Sequence, residues 1–293
     1  MSRGFLLSPY SAESERMAYA AVRSLRLRNP GIPVQVLAQG YLCGLDWRGL
    51  ASVKTVRAAE PHRSERMWFN KLAALEQSPF AETIFVDCDY YFAREPAWWF
   101  EHLGTDDFTF FNAPRSAAEI PDATFPNLVN VHRMKDHFGV KATPIVIGGG
   151  HFFLRKTPRG LSLLERVAEV MEEAMELGPT SLYHRMAGPG NVPASDELAA
   201  SIVAVEQAVQ LPVLPPGVRC PVGMFMSPHQ REEVFDFPHG EASFHCMWAG
   251  NRLAPDAVHF AAHGKRHPAY QAWIAACCVP AAGRGSFPVT AAA

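Results

Sequence analysis

Thr83-Ile84-Phe85-Val86 is an apolar, β-branched run that meets Asp87-Cys88-Asp89 with no spacer, and this junction constrains the fold more than any other segment. The run reads as a buried strand. Successive strand side chains point to opposite faces, so Asp87 and Asp89 are expected to share one face while Cys88 points away. Two neighbouring carboxylates at the end of a buried strand repel each other and are costly to desolvate unless a cation lies between them. Oxygen donors of this kind select a hard ion, Mg²⁺ or Mn²⁺, which commonly arrives with a phosphate. The competing explanation is that Asp is frequent where strands end in turns, so that the spacing arises by chance.

The segments around this junction alternate in period. Gly4–Leu7 reads as a strand, Glu13–Arg28 as a helix with Met17, Ala20, Ala21, Leu25 and Leu27 on its apolar positions, and Val34–Ala38 and Val53–Val56 as further strands. Ser64 is placed to cap a helix carrying Met67, Trp68, Leu72 and Leu75 into the Asp87 strand. The Thr83 strand is expected to carry Asp87 and Asp89 at its carboxyl end. Strand–helix alternation predicts an α/β, Rossmann-like fold with a mostly parallel central sheet flanked by helices. Ligands of such sheets collect beyond the carboxyl ends of the strands, where Ser8, Tyr10, Asp87 and Asp89 fall. Prolines interrupt residues 93–143, the expected site of acceptor-binding insertions. A glycine-broken strand, Ile145–Leu154, then precedes a helix from about Gly160 to Leu177. Ser195 or Asp196 is placed to cap a helix reaching about Val209, and Val213-Leu214 and Val258-His259-Phe260 read as short strands. A single domain over residues 1–278 is expected, with a nucleotide-binding half (1–92), an acceptor-binding half (93–278) and a flexible tail (279–293).

Composition excludes several classes of function. At 48% hydrophobic and 19% charged residues, a chain of 293 residues folds around a substantial core. Its 27 Lys and Arg against 29 Asp and Glu give no general attraction to nucleic acid or anionic membrane, so any anion must be held locally. The apolar run at Phe5-Leu6-Leu7 is too short for a signal-peptide core, and no stretch approaches the ~18 apolar residues of a membrane span. A cytoplasmic protein is the expectation. The six Cys show no C-x-x-C spacing, and the twelve His form no zinc-ligand pattern.

Three ordered segments resemble nucleotide-sugar glycosyltransferases of the GT-A fold, glycogenin and bacterial galactosyltransferase type, glycosyltransferase family eight. Lys71–Asp89 is similar to that family's lysine-bearing helix, connecting turn and D-x-D strand. Ile147–Arg155 resembles the strand whose small residues, Gly149 and Gly150 among them, let the donor sugar lie against the backbone. His259–Lys265 resembles the family's H-F-x-G-x-x-K, with Ala262 in place of its Gly and Arg266-His267-Pro268 in place of the Pro-Trp that follows.

The resemblance implies that Asp87, Asp89 and His259 bind Mn²⁺ (or Mg²⁺) bridging the phosphates of a donor, and that Lys265 and Lys71 sit beside the diphosphate and the nucleotide or sugar. Ser8 and Tyr10 belong to the nucleotide side. Asp196 and Glu197 are the candidates for holding sugar hydroxyls or stabilising an oxocarbenium-like transition state, although acids are also common at helix N-termini for structural reasons. The implied reaction moves a hexose from a UDP-sugar to an acceptor hydroxyl, on a glycan or another molecule, with retention. Two alternatives stay open. One is a sugar-phosphate nucleotidyltransferase, which normally carries a glycine-rich phosphate loop that Ser8-Pro9-Tyr10-Ser11 lacks; the other is a non-catalytic nucleotide- or glycan-binding protein of the same fold. Oligomeric state is not legible.

Overall fold

The computed structural model describes residues 2–41, 43–61, 66–111, 136–140, 150–176, 196–213, 221–226, 230–246 and 251–278. Its main sheet has six strands: β1 (Arg3–Leu7), β2 (Val34–Gln39), β3 (Ser52–Val56), β4 (Glu82–Val86), β6 (Phe108–Thr109) and β7 (His151–Arg155), in the order β3-β2-β1-β4-β7-β6. The first four in that order run parallel, and β7 and β6 close the edge antiparallel.

Alternation along these strands divides the core into two layers. Phe5, Leu7, Val34, Val36, Ile84, Val86 and Phe153 face one layer; Leu6, Leu37, Phe85, Phe152 and Leu154 face the other. The first layer is covered by helices α1 (Ala12–Arg28) and α3 (Trp98–Leu103), and later by α6 (Pro268–Cys277). The second is covered by α2 (Phe69–Glu76), α4 (Pro158–Glu176) and α5 (Asp196–Glu206).

Helix α1 begins where Ser11 and Ser14 form a reciprocal capping box, carries Glu13 and Glu15 in its first turn and Arg26 and Arg28 in its last, and stops at Asn29 before Pro30. Helix α2 starts at Phe69, so Met67 and Trp68 lie in the turn that precedes it; Ser64 is outside the described residues.

The Thr83 strand does not extend through Asp87 and Asp89. Strand β4 ends at Val86, residues 87–89 turn, and β5 (Tyr90–Phe92) leaves the main sheet for a second one of order β5-β12-β8, with β8 at Val222–Phe225 and β12 at Ala257–Phe260. Shared-face alternation is therefore not what brings Asp87 and Asp89 together. The turn between two sheets does it, and the antiparallel pairing of His259 with Tyr90 places β12 beside that turn. A third sheet, β9 (Gln230–Asp236), β10 (Glu241–Cys246) and β11 (Asn251–Leu253), packs Phe235 and Phe244 onto Phe225. The expected strand at Val213-Leu214 is not found: Val213 is irregular and 83% exposed, and Leu214 lies outside the described residues, as do residues 279–293. No described helix is long and apolar enough to cross a membrane.

Candidate active site

The carboxyl ends of β1, β2 and β4, together with α2, the start of α5 and the end of β12, enclose a cleft of about 300 Å³. Six charged side chains of alternating sign run through it. Asp196 pairs with Lys71 at 3.0 Å, and Lys71 pairs with Asp87 at 3.1 Å. His259 Nε2 lies 3.8 Å from Asp87 and 3.2 Å from Asp89, and Lys265 pairs with Asp89 at 2.9 Å. The six charges come from five places in the fold: Asp196 from the first turn of α5, Lys71 from the first turn of α2, Asp87 and Asp89 from the β4–β5 turn, His259 from β12, and Lys265 from the 3-10 turn Ala262–Arg266.

Backbone contacts fix these positions. The Asp87 amide donates to Gly150 O at 2.7 Å, and the Phe260 amide donates to Asp89 O at 2.9 Å. The 3-10 turn that delivers Lys265 presses against β8, where a Cβ on Gly264 would lie 2.2 Å from Phe225 O. Only glycine fits at that approach. The close contact thus falls two residues after Ala262, the position at which this sequence departs from the H-F-x-G-x-x-K pattern.

The network moves the proton affinities of its members. Burial alone would raise that of Asp89, but Lys265 and His259 outweigh it and hold the carboxyl well below the usual range. Burial opposes charge on Lys71, yet Asp196 and Asp87 raise its affinity for the proton above that of an ordinary lysine. Asp89 does the same for Lys265, acting against burial. Asp196 is raised, first by its own burial and then by Asp87, with Lys71 opposing. For His259, burial disfavours the proton and Asp89 favours it, with a net rise. Cys88 is pushed up by burial and by both flanking carboxylates, so the thiol stays protonated.

The donor set fits a divalent ion. One ligand atom each from Asp87, Asp89 and His259 lie within 4.8 Å of one another. Bonds of about 2.1 Å to a common octahedral ion put cis donors about 3 Å apart and trans donors about 4.2 Å apart. The His259 separations of 3.2 and 3.8 Å fall within that span. Two carboxylates and an imidazole favour Mn²⁺ somewhat over Mg²⁺.

No family model matches the sequence, and no curated protein matches it. Solved structures do match. The galactosyltransferase LgtC, in complex with donor and acceptor sugar analogues, aligns with 93% of this chain and 95% of its own at 10% identity, with a TM-score of 0.55. An active-site variant of LgtC gives 0.56 at 10% identity, over 94% and 96% of the two chains. The bifunctional glycosyltransferase WbbM, in its apo form, matches 89% of this chain and 46% of its own, at 9% identity and a TM-score of 0.52.

This is the GT-A fold.

Within this GT-A frame, the structure brings Ser8, Tyr10, Lys71, Asp87, Asp89, Asp196, Glu197, His259 and Lys265 onto one cleft. Ser8 is buried: its hydroxyl donates to Leu37 O at 3.0 Å and accepts from Gln39 Nε2 at 2.5 Å, so what it offers a ligand is a remaining acceptor lone pair. Tyr10 is held by its amide, which donates to Ser14 Oγ at 2.8 Å. Gly149 lies outside the described residues. Gly150 is a point of close packing, because a Cβ there would come within 2.8 Å of Tyr90 Cε2 and 2.9 Å of His259 Cε1. Tyr90, Tyr91 and Trp99 are fully buried, in keeping with aromatics near a strand end serving the core.

Some cleft residues had no sequence signal. Asn70 makes two hydrogen bonds to the backbone of Glu60, of 2.9 and 3.0 Å, in the way a paired strand would, and fixes the cleft's rim. Gln39 spans from Ser8 to Asn70 O, the latter at 3.1 Å. Trp68 lies 5.6 Å beneath the Lys71 ammonium, a cation–π contact visible in retrospect from their i, i+3 spacing.

Proposed function

We propose that this protein is a metal-dependent glycosyltransferase that moves a hexose from a nucleoside-diphosphate sugar, UDP-linked, to an acceptor hydroxyl with retention at the anomeric carbon. The observation that carries the reading is the alternating charge network Asp196–Lys71–Asp87–His259–Asp89–Lys265 at the carboxyl ends of a GT-A sheet. The sugar-analogue complex of LgtC, a protein of the same fold, supports it.

Asp87, Asp89 and His259 would hold the ion, which when bound supplies Lewis-acid neutralisation of the charge on a departing diphosphate. Lys265 and Lys71 exchange part of their carboxylate pairing for phosphate oxygens, and both stay cationic across the physiological range because their carboxylate partners raise their proton affinities. Asp196 and Glu197, which line the same cleft, take the sugar; their carboxylates accept from its hydroxyls and oppose the positive charge that grows at the anomeric carbon. The nucleotide is taken along the wall formed by Ser8 and Tyr10.

A nucleotidyltransferase is disfavoured by the loop after β1. The amides of Tyr10 and Ser11 are both spent on Ser14 Oγ, each at 2.8 Å, which leaves that loop without the free backbone donors a triphosphate needs.

The test is calorimetric titration of UDP with Mn²⁺ present and again after chelation. Binding that requires the metal is expected. Absence of binding in both conditions from folded protein overturns the UDP reading, and a GDP titration then asks whether the base or the site was misassigned. Asp89→Ala should abolish transfer with the fold intact; full activity in that variant would rule out the metal site.

A further inference from the structure

We propose that Tyr90, braced from behind by His151, is the positioning residue that sets the plane of His259. The inference rests on the reading of Asp87, Asp89 and His259 as a metal site. A histidine that ligates a metal through one ring nitrogen normally donates through the other to a carboxylate, carbonyl or water, and that bond fixes the ring. Here Nε2 is the nitrogen that faces the carboxylates, while Nδ1 is buried with no hydrogen-bond partner among the described residues. Another interaction has to orient the imidazole.

The ring is clamped by stacking. Tyr90 lies against His259 with centroids 5.0 Å apart and planes 20° from parallel, and the two residues are direct cross-strand partners on β5 and β12. Gly150 closes on the same pair from β7's entry, leaving no room for a Cβ beside Tyr90 Cε2 or His259 Cε1. Tyr90 is itself fixed. The Phe111 amide donates to His151 Nε2 at 3.1 Å, so that nitrogen is unprotonated and Nδ1 carries the proton, which it donates to the Tyr90 hydroxyl oxygen at 3.2 Å. His151 is fully buried against Phe111 and Trp99. A chain of contacts thus leads from the main sheet to the imidazole plane: Phe111 amide, His151, Tyr90, His259.

The test reads metal affinity, not turnover. Mn²⁺ binding in the presence of UDP is followed by electron paramagnetic resonance of the free ion, with folding of every variant verified by circular dichroism. Tyr90→Leu is expected to weaken Mn²⁺ binding about 10–100-fold, approaching His259→Ala. Tyr90→Phe keeps the stacked ring but loses the hydroxyl that His151 holds, so its affinity should lie within about threefold of the unaltered protein, the remaining loss being the share of the His151 brace. Gly150→Ala should lower it about tenfold by displacing the stack, and it carries the test if Tyr90→Leu does not fold.

Normal Mn²⁺ affinity in folded Tyr90→Leu or in Gly150→Ala, with His259→Ala impaired, overturns the positioning role and leaves the metal site standing. Affinity as poor in Tyr90→Phe as in Tyr90→Leu overturns the stacking argument. Undiminished binding in His259→Ala, or none in the unaltered protein, removes the metal reading and the positioning role with it.

Discussion

His151 shows how a single side chain records its surroundings. Its ring sits among aromatics, and burial first, then the nearby His259 and Lys71, push its pKa down to about 3. The unfolded chain takes up that proton near the ordinary value of 6.5, so the folded state is at no disadvantage above pH 6.5 and loses stability as the pH falls from there toward 3. By pH 5 the loss amounts to about 2 kcal/mol. Urea unfolding of the parent and of His151→Gln at pH 7 and pH 5 should show the stability gap between them shrinking by that amount; a gap unchanged with pH would mean that the imidazole is not held neutral. Nothing in the sequence singled out His151 among twelve histidines, because its low pKa comes from Trp99 and Phe111 packed around it.

Lys71 and Asp196 make the corresponding point for elements. They sit on α2 and at the first turn of α5, more than a hundred residues apart in sequence, and both helices cover the same sheet face. Their pair is nearly dry, with side-chain exposures of 16% and 2%. Removing the cation leaves a carboxylate buried without its partner, and breaking a buried pair in this way costs about 3 kcal/mol or more. Lys71→Met should therefore lower stability by that order, and Lys71→Met with Asp196→Asn should recover much of it. Additive losses in that double-mutant cycle would show that the pair is not coupled. The helices themselves were legible: α1, α4 and α5 run close to the predicted spans, since apolar periodicity and the Asn29-Pro30 stop act locally. The end of β4 at Val86 was not, because Asp87-Cys88-Asp89 fits the alternation of a continuing strand as well as a turn, and only the pairing of β5 with β12 decides that.

At the scale of the whole molecule, the proposed ligands tie α2, α5, the β4–β5 turn and β12 together, so occupancy should stabilise the entire fold by mass action. At a hundredfold excess over the dissociation constant the gain is about 2.7 kcal/mol, or roughly 4 °C in the melting temperature. Differential scanning calorimetry with Mn²⁺ and UDP should show that rise, and a chelator should remove it; a melting temperature indifferent to both would count against the site. The sequence by itself determined the α/β alternation, the mostly parallel character of the sheet and the presence of an acidic motif, the last strengthened by family resemblance. These follow from short-range rules of side-chain period, capping and turn chemistry. The tertiary structure alone decided that β5 leaves the main sheet, that Tyr90 stacks on His259, that Gly150 packs against both of those rings and Gly264 against the backbone of Phe225, and that three acids, two lysines and a histidine form one continuous charge network. The physical reason is range. Periodicity is written by neighbours along the chain, whereas ion pairing and stacking depend on separations of a few ångströms between residues as far apart in sequence as Asp89 and Lys265, which only the closed packing of the sheets sets.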